Sequence, residues 1–328
     1  MPRPPGFWQQ GGGSVLPALL SPFAALTAAA TARRVARPGW RAPVPVICCG
    51  NVTVGGAGKT TLALDIAARL LARGIAVHVL LRGYGGSSSG VRRVGQDHPA
   101  SLVGDEALLL AAVAPTWIGA DRAASARAAI AAGAQALLMD DGLQNPTLHK
   151  TVSLLTIDGA TGFGNGRVMP AGPLREPIAA GAARCQAAVL IGEDRTGAVS
   201  RLPPGLTVLR AILRPGPEIA ALVGIRVLAF AGIASPEKFF TGLEQAGVIV
   251  AERRLFADHH PFTEAELHQL IAQARTLNLR PVTTPKDAVR LPAKLRPEFG
   301  VIGVGLRWEQ PSGIEALLSA LPWATRTA

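Results

Sequence analysis

Residues 43–61, with the sequence PVPVICCGNVTVGGAGKTT, decide the fold. The segment starts with an apolar, β-branched run that ends at Gly50, which predicts a buried strand. After a glycine-rich turn, apolar residues recur at helical spacing over residues 60–74. A buried strand followed by such a turn and a helix is typical of a phosphate-binding loop, because backbone N–H groups and the helix dipole meet at the turn.

The turn has most of the parts of a nucleotide phosphate site. Its glycines let the backbone curl, Lys59 can neutralise terminal phosphates, and the hydroxyl of Thr60 can bind Mg²⁺. The usual pattern has a glycine where this chain has Thr53, but the glycines that follow can adopt the unusual backbone angles. A chance lysine beside a glycine-rich turn is the alternative, and the strand before it disfavours that interpretation. The predicted phosphate-binding residues are Thr53, Val54, Gly55, Gly56, Ala57, Gly58, Lys59 and Thr60.

Predicted strands and helices alternate along the rest of the chain, which indicates an α/β fold. We expect a parallel sheet of the P-loop kinase type with helices on both faces, at residues 41–215. A second, smaller α/β domain is predicted at residues 216–328, with a returning linker strand and a C-terminal helix. The lead-in, residues 1–40, is treated separately below. In the first domain, further strands are predicted at residues 75–83, 134–142, 152–158 and 187–192, and helices at residues 105–114 and 123–133.

Two aspartates follow the most apolar of these strands. Residues 137–145, LLMDDGLQN, deliver Asp140 and Asp141 to the carboxyl edge of the sheet, where ligands bind in open parallel sheets. A carboxylate at this edge can hold the magnesium ion that bridges two phosphates. The alternative is a solvated turn, which the neighbouring phosphate loop makes less attractive.

Two other polar pairs stand at predicted helix starts. Asp105 and Glu106 open a helix in the first domain, where acidic residues often only favour the helix dipole. His259 and His260 precede a helix in the second domain, and a histidine pair there is more often structural than catalytic. Taken alone, neither pair indicates catalysis.

Composition limits the partners. The net charge of +11 suits an anionic membrane surface or an acidic substrate. Nucleic acid is disfavoured, because aromatic residues are only 5% of the chain and no recognition motif or zinc-ligand spacing is present. The three cysteines do not form a disulfide framework and are expected to be buried thiols.

The N-terminal segment, residues 14–34, is apolar and ends in Arg33 and Arg34. The charge follows the apolar part instead of preceding it, so a secretory signal is disfavoured. Two prolines and several polar residues argue against a spanning helix. Two alternatives stay open from the residues alone. One is a helix lying in the membrane interface with Phe7 and Trp8 near the headgroups, and the other is a helix packed on the domain.

Taken together, the motifs resemble the tetraacyldisaccharide 4′-kinase family, the lipid A 4′-kinases of Gram-negative bacteria. The resemblance covers nearly the whole chain and depends on the order and spacing of nine short segments. These are FW at residues 7–8, the phosphate-loop segment, LLRGYGG, VGDE, DDGLQN, GNGRVMPAGPLREP, AFAGIASPEKFF, FADHHPF and TTPKDAVRL.

This resemblance implies a kinase that transfers the γ-phosphate of ATP to the 4′-hydroxyl of tetraacyldisaccharide 1-phosphate, giving lipid IV-A. It also implies a peripheral enzyme on the cytoplasmic face of the inner membrane, with the N-terminal helix as an interfacial anchor. ATP is expected in the cleft between two α/β units. We further expect Mg²⁺ as cofactor, no nucleic acid partner and a monomeric chain.

Site residues follow from the same resemblance. Asp105 matches the catalytic aspartate that accepts the proton of the sugar hydroxyl, and His259 assists it. The phosphate-loop lysine belongs to the catalytic set as well. Arg82 and Arg175 are expected to bind phosphates, the latter from a Gly/Pro-rich loop, residues 159–177. A loop of that length inside a compact domain is either functional or disordered. The expected magnesium ligands are Thr60, Asp140, Asp141 and Glu106.

Two positions depart from the family pattern. Asn145 stands where the family usually has histidine, and Thr61 stands where it usually has proline. The main rival is a nucleotide-switch ATPase of the partitioning or metallochaperone type, but Val54 replaces the additional lysine of those loops. A membrane-attached binding module with a decayed nucleotide site is a third possibility. It predicts no turnover.

Overall fold

The structure is a computed structural model and describes residues 5–9, 15–87, 90–95 and 97–323. Helices and strands alternate over most of the chain, so the α/β prediction is confirmed. The helices are α1 Leu16–Leu19, α2 Ser21–Val35, α3 Lys59–Ala72, α4 Ala100–Val103, α5 Asp105–Ala111, α6 Arg122–Ala131, α7 Ile178–Ala182, α8 Pro236–Gln245, α9 Glu264–Thr276, α10 Pro285–Ala288 and α11 Pro311–Ser319. The strands are β1 Val46–Gly50, β2 Val77–Leu81, β3 Arg92–Arg93, β4 Thr116–Ile118, β5 Ala136–Asp140, β6 Val152–Asp158, β7 Ala187–Ile191, β8 Thr207–Pro215, β9 Arg226–Ala231, β10 Ile249–Leu255, β11 Arg280–Thr283, β12 Gly300–Val301 and β13 Val304–Trp308.

The larger sheet has the order β13-β8-β7-β6-β1-β5-β2-β4-β3. Its pairs are parallel except at the two edges, where β13 runs antiparallel to β8 and β3 antiparallel to β4. Strand β1 lies between β5 and β6, so successive connections lead away from it in both directions. Such a switch point opens a crevice at the carboxyl ends of the strands, and the glycine-rich turn leaves β1 at that end.

Helices cover both faces of this sheet. Helices α3, α5 and α11 bury apolar side chains on one face, and α6, α7 and part of α2 do so on the other. Strands β1, β2, β5 and β7 are buried along their whole length, as expected of strands covered on both sides. The doubly covered sheet therefore matches the sequence-based expectation.

The smaller sheet is parallel, in the order β10-β9-β11-β12. Phe230 of the central strand β9 packs with α9 on one side, while its neighbours Val227 and Ala229 pack with α8 on the other. The expected boundary at residue 216 falls directly after β8. The chain then returns to the larger sheet, because β13 pairs with β8 and α11 packs into its core. The expected smaller domain, 216–328, thus includes β13, which is a strand of the larger sheet, and α11, which packs on that sheet.

The N-terminal segment packs on the domain and also exposes apolar side chains. Ala24 of α2 is buried in the hydrophobic core on one face of the larger sheet. The side chains of Leu19, Phe23 and Leu26 are 59% to 68% exposed. Trp8 donates its indole N–H to the carbonyl of Pro170 at 3.1 Å, which ties this tryptophan to the long loop, and its place near the headgroups stays a prediction. Part of the predicted segment, residues 1–4 and 10–14, lies outside the described residues. Within the described ranges, no helix combines the length and apolarity that crossing a bilayer requires.

Candidate active site

The glycine-rich turn has the geometry of a phosphate-binding loop. Gly55 and Gly58 have φ angles of 106° and 83°, in the left-handed region that favours glycine. Gly58 forms the N-cap of α3, and a Cβ added at Gly55 or Gly56 would meet no atom within 4 Å. Lys59 is buried, and its Nζ lies 3.4 Å from the carbonyl oxygen of Gly55. The side of the turn that Gly55 and Gly56 form is therefore open, and the ammonium group of Lys59 lies against the Gly55 carbonyl.

Thr53 occupies its position without strain because the long loop pairs with it. Thr53 forms an antiparallel bridge with Leu174, and the N–H of Val54 donates to the carbonyl of Pro173 at 2.8 Å. The N–H of Arg175 donates to the carbonyl of Val52 at 2.7 Å. An extended backbone at Thr53 needs no glycine, which explains the departure from the usual loop pattern. Loop 159–177 therefore holds the first residues of the glycine-rich turn through backbone hydrogen bonds.

Thr60 and Asp140 meet at the carboxyl edge of the sheet. The Thr60 hydroxyl donates to Oδ2 of Asp140 at 2.9 Å, while Oδ1 of Asp140 is buried and has no hydrogen-bond partner. Burial, helped by the charge of Glu106, raises the pKa of Asp140 to about 7, and Lys59 opposes this shift. A hard cation such as Mg²⁺ would bind a buried carboxylate oxygen that has no other partner and lies beside a hydroxyl.

Asp141 faces two cations instead of an open coordination position. Its carboxylate accepts two hydrogen bonds from Arg175, at 2.8 and 3.0 Å, and lies 3.8 Å from Nζ of Lys59. Burial acts to raise the pKa of Asp141, but the charges of Lys59 and Arg175 hold it below its usual value. Arg175 contacts both oxygens of Asp141, a geometry that supports a role in orienting Lys59 and Arg175. The expected role of Asp141 as a metal ligand stays a prediction.

Asp105 and His259 come together from the two α/β units. Asp105 is buried at the start of α5, and its Oδ2 lies 2.8 Å from Nδ1 of His259. Burial acts to raise the pKa of Asp105, but the hydrogen bond and charge of His259, followed by the charge of Arg290, lower it. His260 points elsewhere, because its Nε2 contacts Glu266 at 3.0 Å. The structure therefore distinguishes the two histidines, which the sequence did not.

Four further charged residues surround this pair, and sequence reasoning assigned none of them a role. Arg290 contacts Asp105 at 3.4 Å, and Lys286 lies 4.0 Å from Glu106 and 3.9 Å from Asp258. Their signal was present in the segments FADHHPF and TTPKDAVRL, which carried the family resemblance. The missed residues are Asp258, Lys286, Asp287 and Arg290.

The remaining sequence-predicted residues lie around this edge with different surroundings. Arg82 is exposed directly after β2, and its charge contributes to lowering the pKa of buried Arg122, for which burial is the main cause. Asn145 is structural, because its Oδ1 accepts hydrogen bonds from the N–H and hydroxyl of Thr147, at 3.0 and 2.9 Å. Thr61 lies in the first turn of α3, so the missing proline leaves the helix intact.

The chain is similar to one enzyme family over almost all of its length. The profile of the family described as tetraacyldisaccharide-1-P 4′-kinase matches residues 16–322. Tetraacyldisaccharide 4′-kinase of Gluconacetobacter diazotrophicus is 55% identical over 96% of each chain, and that of Rhodospirillum centenum is 53% identical over 97% of this chain and 96% of its own. The crystal structure of LpxK from Aquifex aeolicus in complex with ATP is similar with a TM-score of 0.72 and 25% identity, over 93% of this chain and 98% of the other.

Proposed function

Since the chain belongs to the tetraacyldisaccharide 4′-kinase family, we propose that Asp105 and His259 form its catalytic pair and that the residues around Lys59 hold its ATP. The protein is an ATP-dependent lipid A 4′-kinase. The single observation that carries the proposed mechanism is the 2.8 Å contact between Asp105 and His259. The charge of Glu106, the residue next to Asp105, contributes to the raised pKa of Asp140. Asp140 in turn accepts a hydrogen bond from Thr60 of the phosphate loop, so the Asp105–His259 pair lies near that loop.

In the proposed reaction, Asp105 accepts the proton of the 4′-hydroxyl as that oxygen attacks the γ-phosphorus. A new O–P bond forms at the sugar, the bond from the γ-phosphorus to the β-bridging oxygen breaks, and ADP leaves. His259 contacts Oδ2 of Asp105, and we propose that the other carboxylate oxygen accepts the proton. A lowered pKa keeps Asp105 ionised near neutral pH, which is the state that a general base needs.

The loop residues 53–60 are proposed to bind the phosphates of ATP. Backbone N–H groups of the turn would surround the β-phosphate, and Lys59 would stabilise charge on the transferring group. We propose that Arg82 and Arg175 add positive charge at the same edge, with Arg175 acting from its place beside Asp141. These arginines suit a substrate that itself carries a phosphate.

Thr60 and Asp140 are the proposed holders of Mg²⁺, with Glu106 nearby. The fit depends on the unpartnered Oδ1 of Asp140 and the adjacent Thr60 hydroxyl. Once bound there, the ion would neutralise phosphate oxygens and favour departure of ADP. We propose that Asp141 orients the side chains of Lys59 and Arg175, which both contact its carboxylate.

Asp140 should limit the stability of the metal-free protein. Its folded-state pKa, about 7, exceeds the ordinary aspartate value of 3.8, so ionisation of Asp140 disfavours the folded state as pH rises from about 4 to about 7. We expect Asp140→Asn to raise the free energy of unfolding at pH 8 by on the order of 2–4 kcal/mol, with a smaller gain at pH 5. Denaturant unfolding in EDTA measures this difference. A variant that is equally or less stable at pH 8 contradicts the prediction.

The lipid substrate favours a membrane-surface location, which we propose to be the cytoplasmic face of the inner membrane. Exposed Leu19, Phe23 and Leu26 can enter the interface, while Arg33 and Arg34 at the end of α2 meet anionic headgroups. The catalytic pair comes from a single chain, so we also propose that a monomer suffices.

Replacing Leu19, Phe23 and Leu26 together by serine should lower binding to vesicles with anionic lipid by at least about 10-fold, because roughly 1.5–3 kcal/mol is lost for each large apolar side chain that no longer enters the interface. Vesicle co-sedimentation measures the change. Serine replacements of exposed Val223, Ile225 and Ile249, in the smaller unit, are the matched control. Unchanged binding of the first variant would place the anchor elsewhere.

The proposed transfer is tested with γ-labelled ATP and tetraacyldisaccharide 1-phosphate. Label in the lipid that depends on Asp105 and His259 supports the proposed pair. Label only in free phosphate, released equally without the lipid, would indicate a nucleotide-switch ATPase, and no turnover would indicate a binding module. Substitution of His260, which faces Glu266, controls for loss of a histidine from the same turn.

A further inference from the structure

Arg290 joins three segments that meet at the catalytic pair. Its side chain is only 5% exposed, and its Nη1 donates to the carbonyl of His260 at 2.9 Å. Its Nη2 donates to the carbonyl of Gly232 at 2.9 Å and to Oδ1 of Asp287 at 2.6 Å. Its Nε lies 3.4 Å from Oδ2 of Asp105, in the other α/β unit. The guanidinium therefore links the end of β9, the histidine turn and the start of α5.

The histidine turn needs such support. His259 has a φ angle of 60°, which is uncommon for a residue with a side chain and costs on the order of 1–3 kcal/mol unless neighbours enforce it. The N–H of His259 donates to the Gly232 carbonyl, which Arg290 also contacts. Arg290 thus binds the carbonyl of His260 and the same Gly232 carbonyl that accepts the His259 N–H, so it constrains the backbone of the turn from which the imidazole projects.

We propose that Arg290 is a positioning residue for the kinase reaction, which fixes the His259 turn and contacts Asp105, so that the catalytic pair forms in one geometry. This inference rests on the proposed roles of Asp105 and His259. It adds a third member, contributed by the smaller unit, that touches no reacting atom.

The alternative is that Arg290 only neutralises Asp287. Asp287 is fully buried, but it already accepts hydrogen bonds from the Thr284 hydroxyl at 2.6 Å and the Gly232 N–H at 2.9 Å. Neutralisation of Asp287 does not explain why Arg290 also contacts the His260 carbonyl and Asp105. Lysine would conserve a cation beside Asp287 but lacks the planar fork that reaches the other groups simultaneously. Arg290→Lys therefore separates the two roles.

The experiment measures kcat and the KM for ATP in Arg290→Lys, alone and combined with His259→Ala. We expect Arg290→Lys to lower kcat about 10-fold or more with less than about 3-fold change in KM, because positioning of the base is lost and nucleotide binding is retained. In the His259→Ala background, the same change should lower kcat several-fold less than it does in the parent, since no imidazole remains to be positioned and only the contact with Asp105 is lost. Arg275→Gln, which removes an exposed arginine paired with Glu298, is the control and should leave kcat unchanged.

A kcat within about 2-fold of the parent in Arg290→Lys overturns the inference, as does the full single-variant loss in the His259→Ala background. If Arg290→Lys does not fold, Asp287→Asn combined with Arg290→Gln replaces it, because no buried charge is then left alone. Failure of the proposed function looks different. In that case His259→Ala and Asp105→Asn themselves leave transfer to lipid unchanged.

Discussion

Replacement of Asp105 by asparagine is expected to lower kcat by about 10²–10⁴-fold, the usual contribution of a positioned general base. Asparagine has nearly the same shape and can still accept a hydrogen bond, but it cannot take the proton of a sugar hydroxyl. The KM for ATP should change little, because Asp105 contacts His259 and Arg290 and is not part of loop 53–60. The effect would therefore fall on the chemical step.

Steady-state transfer of labelled phosphate to the lipid measures this effect. Helix capping does not account for the expected loss, because Gly104 and not Asp105 is the N-cap of α5 and asparagine can still accept a hydrogen bond from a backbone N–H. Asp121→Asn is the matched control, since Asp121 does cap α6 and lies outside the proposed pair. Turnover within about 2-fold of the parent, in a folded Asp105→Asn variant, would remove Asp105 from the mechanism.

Replacement of Lys59 by methionine is expected to lower kcat by about 10²–10³-fold, comparable with loss of one preorganised group that stabilises transition-state charge. Methionine fills similar space without the ammonium that folds over Gly55. The KM for ATP should rise as well, because Lys59 would contact phosphates in the ground state. Its loss also removes the cation that opposes the raised pKa of Asp140 in the metal-free protein.

Label transfer over a range of ATP concentrations separates the two effects. Lys294→Met removes an exposed lysine paired with Glu264 and serves as the control. If Lys59→Met kept the parent's kcat, the turn would bind phosphate through its backbone alone, and the charge assigned to Lys59 would be unnecessary.

Sequence reasoning succeeded where the signal is local. The strand, turn and helix of the phosphate loop are contiguous, and the aspartates after β5 follow a fully buried strand. It assigned no role to Arg290 or Lys286, because one partner of each, Asp105 or Glu106, lies in the other unit, more than 150 residues away. Nor could it show that Leu174 pairs with Thr53 and makes a glycine there unnecessary.

Two expected site residues have partners that the sequence did not indicate. Asp141, an expected metal ligand, makes a bidentate contact with Arg175. Trp8, expected near headgroups, donates its indole N–H to the Pro170 carbonyl. In both cases a distant segment, loop 159–177, supplies the partner. Composition and periodicity carry no information about such pairings.

The return of the chain to the larger sheet makes the smaller unit an insert within a nucleotide-binding fold. Val304 pairs directly with Pro215, and the N–H of Gly216 donates to the carbonyl of Gly303 at 2.8 Å. The insert therefore leaves and re-enters through two adjacent strands, so that a short hairpin turn would suffice to close the gap after its excision. The lobe that carries His259 is therefore joined to the larger sheet through the ends of two neighbouring strands, β8 and β13.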